Sequence, residues 1–85
     1  MESRFYLRFI VKDKAGVLSK MSNILGEENI SIASVIQKEN VNLDDNYADL
    51  VFMTYKCTQS SVNKALEKIS KLSIVKTLKS MIRVE

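Results

Sequence analysis

The chain has 85 residues, with 13 Lys and Arg against 10 Asp and Glu, and 46% of its residues are hydrophobic, which suffices for one small packed domain. The formal net charge of +3 is too small to indicate a nucleic-acid or membrane surface by itself. The absence of histidine and the single cysteine exclude an internal disulfide, a Ser-His or Cys-His catalytic pair and a structural zinc site built from several such ligands.

The first predicted element is a strand over residues 4–12, because apolar side chains occupy every second position. The period then changes, and residues 16–28 carry apolar side chains at helical spacing, which predicts an amphipathic helix. We expect that helix to fade at Glu28-Asn29, since asparagine adopts the left-handed backbone conformation more readily than most residues.

Two strands are predicted in the middle of the chain. Residues 30–39 are rich in β-branched side chains and predict the second strand, and the polar, acidic segment 40–46 predicts a flexible hairpin loop. Residues 47–57 predict the third strand, which is almost continuously apolar over residues 50–53, as expected of a central strand.

A second helix and a fourth strand complete the predicted elements. Residues 60–71 carry another apolar helical stripe, preceded by candidate N-caps in the segment 58–61. Residues 74–84 predict the last strand. Three methionines are interpreted as core residues, namely Met21, Met53 and Met81.

The predicted element order is therefore β-α-β-β-α-β, with no repeat or linker, and residues 1–85 are predicted to form a single domain. Right-handed crossovers place both helices on one face of a four-stranded antiparallel sheet. The predicted fold class is α+β, a ferredoxin-like sandwich. Its first and third strands lie in the centre of the sheet, and its second and fourth strands lie at the edges.

Several features bear on the setting of this domain. No apolar run is long enough to span a membrane, and the N-terminus lacks the layout of a signal peptide, so a soluble, cytoplasmic domain is expected. Neither glycine begins a dinucleotide-binding or phosphate-binding loop, and we expect no catalytic residues in this chain. The start on a strand and the natural-looking end at Glu85 favour a domain excised from a larger enzyme.

The segment Asp13–Leu18 (DKAGVL) joins the first strand to the first helix, and Gly16 permits a positive φ there. The free amides of the first helical turn attract a carboxylate. Asp13 has two candidate roles: it caps the amides near Ala15 and Gly16, or it accepts the ammonium group of a small zwitterion. In the second case, this loop is a receptor for a free amino acid.

The second predicted strand lies at an edge of the sheet, where its backbone groups lack a partner strand. Residues 30–36 (ISIASVI) contain no proline, charge or glycine that would protect such an edge. A two-fold dimer that joins two of these edges would form an eight-stranded sheet. The alternative is a monomer whose flanking loops cover the edge.

Two segments carry a family resemblance. Asp13–Leu18 and Asn29–Lys38 together resemble the ACT domain, a small regulatory module of amino-acid metabolism. The strand Ile30–Lys38 (ISIASVIQK) and the ending Met81–Glu85 are similar, more narrowly, to the ACT domain at the C-terminus of homoserine dehydrogenases. The resemblance spans essentially the whole chain.

This resemblance implies the βαββαβ fold and a side-by-side homodimer through the second strand and the first helix. It also implies a small amino-acid effector at the interface; in homoserine dehydrogenases this is usually threonine, acting as a feedback inhibitor. Such a parent enzyme uses NAD(P), and this domain itself is expected to hold no cofactor or metal. The implied ligand-binding residues are Asp13, Lys14, Ala15, Gly16, Val17 and Leu18 of one subunit and Asn29, Ile30, Ser31 and Ile32 of the other.

The sequence departs from the family pattern at two positions. Ala15 stands where the family usually has proline, so more entropy is lost when the loop becomes ordered. Tyr55 stands where the dehydrogenase relatives usually carry histidine. Both departures concern the identity of the ligand rather than the fold.

Two other functions compete with an amino-acid sensor. RNA recognition motifs share this element order, and Tyr6 with Tyr55 or Phe52 would have to stack on bases, but residues 48–56 lack the basic-glycine-aromatic signature. The outward basic residues of the sheet are interpreted as an ordinary solvated face, namely Arg8, Lys76 and Lys79. The other alternative is a structural dimerisation domain without a ligand. Metal carriers of this topology are excluded, because DKAG replaces their CxxC loop.

Overall fold

The structure of the protein, a computed structural model, describes residues 1–38 and 46–84. Its elements, in chain order, are β1 (Glu2–Ser3), β2 (Phe5–Lys12), α1 (Val17–Glu27), β3 (Ile32–Lys38), β4 (Tyr47–Thr54), β5 (Cys57–Thr58), α2 (Gln59–Ser70) and β6 (Val75–Arg83). Most of the predicted loop 40–46 and the last residue of the predicted second strand, Glu39, lie outside the described residues.

Four of the strands form one antiparallel sheet in the order β3-β4-β2-β6. The predicted first and third strands correspond to β2 and β4 and are central, and the predicted second and fourth strands correspond to β3 and β6 and form the edges. The α+β ferredoxin-like prediction is therefore confirmed. Neither helix in the described part of the chain has the length and apolar content needed to cross a bilayer.

The core lies between one face of the sheet and the two helices. Alternation along β2 buries Phe5, Leu7, Phe9 and Val11 on this face, as predicted. Both helices contribute apolar stripes to the same cluster, with Val17, Met21 and Leu25 from α1 and Val62, Ala65 and Ile69 from α2. Both described helices therefore pack on the same face of the sheet.

The third predicted strand is shorter than expected. It was predicted to continue to Cys57, but β4 ends at Thr54, whose hydroxyl accepts a hydrogen bond from the amide of Phe5 at 3.0 Å. This side-chain bond replaces a backbone bond of the ladder. Cys57 and Thr58 then pair with Glu2 and Ser3 as a separate two-stranded sheet, which the local sequence did not indicate.

The C-terminal end of α1 confirms the prediction that Asn29 adopts the left-handed conformation, since its φ is 62°. The amide of Asn29 donates to the carbonyl of Gly26 at 3.0 Å, and the amide of Ile30 donates to the carbonyl of Leu25 at 3.0 Å. This pair of bonds is a Schellman motif. It assigns Ile30 to the helix end, so β3 begins at Ile32 and not at Ile30 as predicted.

Three predictions about side-chain surroundings are wrong. Arg8 was assigned to a solvated face, but it forms a bidentate ion pair with the fully buried carboxylate of Asp49, with Nε–Oδ1 at 2.9 Å and Nη2–Oδ2 at 2.5 Å. Met81 was assigned to the core but is 40% exposed. It lies opposite Leu7 on β6, an edge strand among the described strands. Met53 was also assigned to the core, but it is only partly buried and lies outside the core cluster.

Candidate functional site

The loop between β2 and α1 is tied to its surroundings by backbone hydrogen bonds. The amide of Lys12 donates to the carbonyl of Ile74 at 2.7 Å, and the amide of Asp13 donates to the carbonyl of Asn46 at 2.8 Å. Lys14 closes a tight turn by donating to the carbonyl of Lys12 at 3.0 Å. The loop is thus held at the end of the sheet where β2 stops and β4 starts.

Gly16 is the N-cap residue of α1 and has a φ of 86°, in the left-handed region that favours glycine. No atom of the described residues lies within 4 Å of the position that a Cβ would take, so the backbone angle and not crowding accounts for the glycine. The site therefore meets the prediction of a positive φ at Gly16.

The first turn of α1 keeps free amide donors. Among the described residues, no side chain caps this helix end and its first turn carries no acidic residue. The amide of Val17 has only a long bond of 3.4 Å to the carbonyl of Lys14, and the amides of Leu18 and Ser19 precede the first regular helical bond, from Lys20 to Gly16. The capping role weighed for Asp13 is thus not observed, and the positive end of the helix dipole stays open to an anion.

A cleft of about 90 Å³ lies between this loop, the end of β3 and the start of β4. Its apolar floor is formed by Val11, Val17, Ala48 and Leu50. Its polar rim consists of Asp13 and the two flanking lysines, Lys12 and Lys14. The lining thus combines one carboxylate and two ammonium-bearing side chains with an apolar floor.

Gln37 also lines this cleft, and the sequence analysis did not single it out. It lies opposite Leu50 of β4, so it shares the helix-bearing face with the cleft floor. Alternation along the predicted second strand, combined with the predicted strand order, contained this information. Gln37 adds an amide group that can both donate and accept at the cleft.

The second predicted half of the site, Asn29–Ile32, lies elsewhere in the same chain. These residues precede or begin β3, whereas the cleft adjoins its end, and a strand of 7 residues spans about 20 Å. Ser31 is exposed, and its carbonyl accepts a bond from the amide of Tyr55 at 2.9 Å. One chain therefore does not bring the two predicted halves together.

Comparison with known protein families identifies the family of this chain. The sequence profile described as the ACT domain matches residues 5–73. The chain is also 35% identical over 85 residues to the homoserine dehydrogenase of Helicobacter pylori, covering 100% of this chain and 20% of that protein. It is 34% identical over 83 residues to the homoserine dehydrogenase of Neisseria gonorrhoeae, covering 98% and 19% respectively. The chain thus spans about one fifth of the length of these relatives.

Solved structures agree with that result. A homoserine dehydrogenase from Thiobacillus denitrificans superposes with a TM-score of 0.86 at 30% identity, over 100% of this chain and 18% of that one. The ACT domain from GTP pyrophosphokinase of Chlorobium tepidum superposes with a TM-score of 0.70 at 15% identity, over 99% of this chain and 100% of that one. The second likeness shows the shared fold alone.

Proposed function

Because the chain belongs to the ACT domain family, we propose that it is the amino-acid-binding regulatory domain of a homoserine dehydrogenase. In this proposal two copies pair through β3 and α1, and threonine binds where they meet and inhibits the enzyme. The proposal rests on the likeness to homoserine dehydrogenases over the full length of this chain and on the geometry of the two sheet edges.

The edge strand β6 is protected against pairing with another chain. Its register with β2 shifts twice, and the extra residues at these two irregularities are Lys79 and Lys76. Bulges and lysines on an edge strand are common devices against edge-to-edge association. The edge strand β3 has one irregularity near its start, at Ala33, and keeps a continuous register with β4 over residues 34–38. Of the two edges, β3 is therefore the one suited to a second copy.

The observation that carries the proposal is the direction of β3. A two-fold axis pairs β3 with its copy in antiparallel orientation, so the start of one strand lies beside the end of the other. Ser31 and Ile32 of one copy then approach Gln37 of its partner, next to the cleft at Asp13. The two predicted halves of the site, about 20 Å apart in one chain, meet in the dimer.

The orientation of α1 supports its place in the same interface. Glu27 and Glu28 face α2, where the Lys68 ammonium lies 3.7 Å and 2.7 Å from their carboxylates. At 100° per residue, Leu18 and Ser22 lie on the other side of α1. Leu18 is 45% exposed and lines the cleft together with Gln37. A second copy beside β3 would bury this apolar side chain.

The chemistry of the cleft fits a small zwitterion. The free amides after Gly16 would bind the carboxylate of the ligand, and Asp13 would accept its ammonium group. Gln37, which lines the cleft, would bind a hydroxyl such as that of threonine. A millimolar dissociation constant is about −4 kcal/mol, or roughly −0.5 kcal/mol per non-hydrogen atom of threonine, which is within the range of small ligands.

The NAD(P) of the proposed parent enzyme would bind outside this chain. The turn after β2, Asp13-Lys14-Ala15-Gly16, has a single glycine and lacks the spacing of a dinucleotide loop. The residues present therefore do not fit a dinucleotide, and they act on the reaction only by regulation. The ligand would favour one arrangement of the dimer and thereby change the catalytic part attached to it.

Isothermal titration calorimetry with threonine tests this function, together with the dimer mass from light scattering. We expect saturable heat from the wild-type dimer and an affinity at least several-fold weaker for Asp13→Asn. The thermal midpoint of Asp13→Asn should stay close to that of the wild type, because within residues 1–38 and 46–84 no side chain, Asp13 included, caps the start of α1.

Absence of heat at tens of millimolar threonine, with a folded dimer present, would contradict the sensor function and leave a structural dimerisation domain. An unchanged affinity of Asp13→Asn would remove Asp13 from the site. Serine and valine serve as matched ligands, since each lacks one of the two side-chain groups that threonine carries.

A further inference from the structure

The cleft beside the Asp13 loop has an apolar floor made of core residues. The floor is formed by four residues that are at most 6% exposed, namely Val11, Val17, Ala48 and Leu50. Because these side chains also pack in the hydrophobic core, they have little freedom to move aside for a ligand. The depth of the cleft therefore depends on their sizes, and Ala48 has the smallest side chain of the four.

The strand register explains why space is left at this end of the sheet. On the face that carries the helices, β4 contributes Phe52, then Leu50, then Ala48 in the direction of the cleft. Their neighbours on β2 end with Phe9, opposite Leu50, and Val11, opposite Ala48. The side chains thus become smaller toward the loop, and the last pair leaves the space that the cleft occupies.

The backbone on both sides of Ala48 is held in place. The next residue, Asp49, is fully buried, and its carboxylate forms the bidentate ion pair with Arg8 of β2. The preceding residue, Tyr47, pairs with Lys12 in the same ladder. A ligand that is too long consequently meets a wall that yields little.

The volume of the cleft limits the length of a bound side chain. An apolar cavity of about 150 Å³ holds benzene, with its six carbon atoms. On this scale the cleft, at about 90 Å³, takes roughly three to four side-chain atoms. Threonine and valine have three atoms beyond the α-carbon, whereas leucine has four. In the proposed dimer, Ser31 and Ile32 of the other copy would cover the mouth of the cleft, so a longer side chain would have no way out.

We propose that Ala48 sets the upper size limit of the effector, so that this cleft selects amino acids with no more than about three side-chain atoms. The inference rests on the proposed function, because it concerns the same cleft and adds the residue that decides which small amino acids enter it. Ala48 lies outside the two segments that the family resemblance implied, Asp13–Leu18 and Asn29–Ile32. One methylene more or less in an apolar pocket changes affinity about 10- to 200-fold, so a single substitution here is enough to change the ranking of ligands.

Calorimetry of the full-length protein with serine, valine, threonine and leucine tests the size limit. The wild type should bind leucine at least about tenfold more weakly than valine. Ala48→Val adds two carbon atoms to the floor and should weaken the binding of valine and threonine at least about tenfold. Serine lacks the methyl group that reaches the floor, so its affinity should change by less than about threefold.

Ala48→Gly makes the opposite change. It enlarges the cleft and should reduce the preference for valine over leucine at least about fivefold. Because this variant adds no atom to the core, its ligand ranking decides the question even where Ala48→Val does not fold. Ala65→Val is the matched control, since it adds the same atoms at a fully buried alanine of α2 that is outside the described lining of the cleft, and it should leave the ranking unchanged.

The outcomes separate this inference from the proposed function. Equal weakening of serine and threonine by Ala48→Val, or a wild type that binds leucine as tightly as valine, would overturn the size limit and leave the proposed function in place. A wild type that binds none of these amino acids would contradict the proposed function itself, and the size limit with it.

Discussion

Gly16 is the residue at which one backbone angle decides the geometry of the loop. Its φ of 86° costs an L-amino acid about 1–2 kcal/mol, and no atom in the described part of the chain would clash with a methyl group there. Gly16→Ala should therefore lower the free energy of unfolding by about that amount, through backbone strain alone. Gly26→Ala is the matched control. Because Gly26 lies inside α1, this variant should have a free energy of unfolding about 0.5–1 kcal/mol higher than the wild type. Urea unfolding measures both free energies. Changes of the same sign and size in the two variants would contradict this account.

Arg8 and Asp49 form the second residue-scale feature with a measurable consequence. Arg8→Met leaves a fully buried carboxylate without its bidentate partner, which is strongly unfavourable. Arg8→Met combined with Asp49→Leu removes both charges and should be more stable than Arg8→Met alone. Thermal unfolding of both variants checks this order, and a double variant less stable than the single one would contradict it.

Some of the important residues could be predicted from the sequence, and others could not. Asn29 and Gly16 were predictable because positive φ restricts residue choice, and both adopt it. The Arg8–Asp49 pair was not predicted, although an aspartate beside the apolar run 50–53 was a visible signal of a buried charge that needs a partner. Gln37 was not predicted, because the family resemblance implied ligand contacts only at the start of this strand, over Asn29–Ile32.

At the scale of elements, the two helices are joined by Lys68 of α2, which bridges to Glu28 and Glu27 at the end of α1. The hydrogen bond to Glu28, with the charges of both carboxylates, raises the pKa of Lys68. A raised lysine pKa means that the stabilisation is fully present below the unfolded value of about 10.4 and is lost as pH rises through the folded value.

The comparison of wild type with Lys68→Gln tests this linkage. We expect a constant difference in thermal midpoint between about pH 7 and pH 9, and a shrinking difference above about pH 10.4. Lys64→Gln, on the same helix and exposed, controls for the loss of a charge. A difference for Lys68→Gln that persists unchanged to pH 11.5 would show that the ion pair does not stabilise the fold.

Element type and strand order followed from periodicity, since β2 alternates strictly and both helices carry a single apolar stripe. The residues at which the elements begin and end were predicted less accurately from periodicity. Ile30 belongs to the Schellman motif of α1, and Thr54 ends β4 by bonding the amide of Phe5. Both depend on contacts with other parts of the chain, as does the pairing of β1 with β5. Local propensity contains no information on such contacts.

At the scale of the whole molecule, the two sheet edges are expected to behave differently. Ser34→Lys places a charge in the middle of β3, where two copies would meet, and should raise the dimer dissociation constant at least about tenfold. Thr77→Lys places the same side chain on the edge strand β6 and should leave the dimer unchanged. Sedimentation equilibrium measures both, and equal weakening by the two variants would contradict an interface at β3.

The central claim is that each effector site is built from two copies, the Asp13 loop of one and the Ser31 region of the other. Calorimetry on a mixture of two defective variants, Asp13→Asn and Ser31→Leu, tests it most directly. Each variant alone carries only damaged sites, whereas a mixed dimer regenerates one intact site, so threonine should bind at wild-type affinity to about a quarter of the sites in an equilibrated mixture. A mixture that binds threonine no better than either variant alone would contradict the shared site.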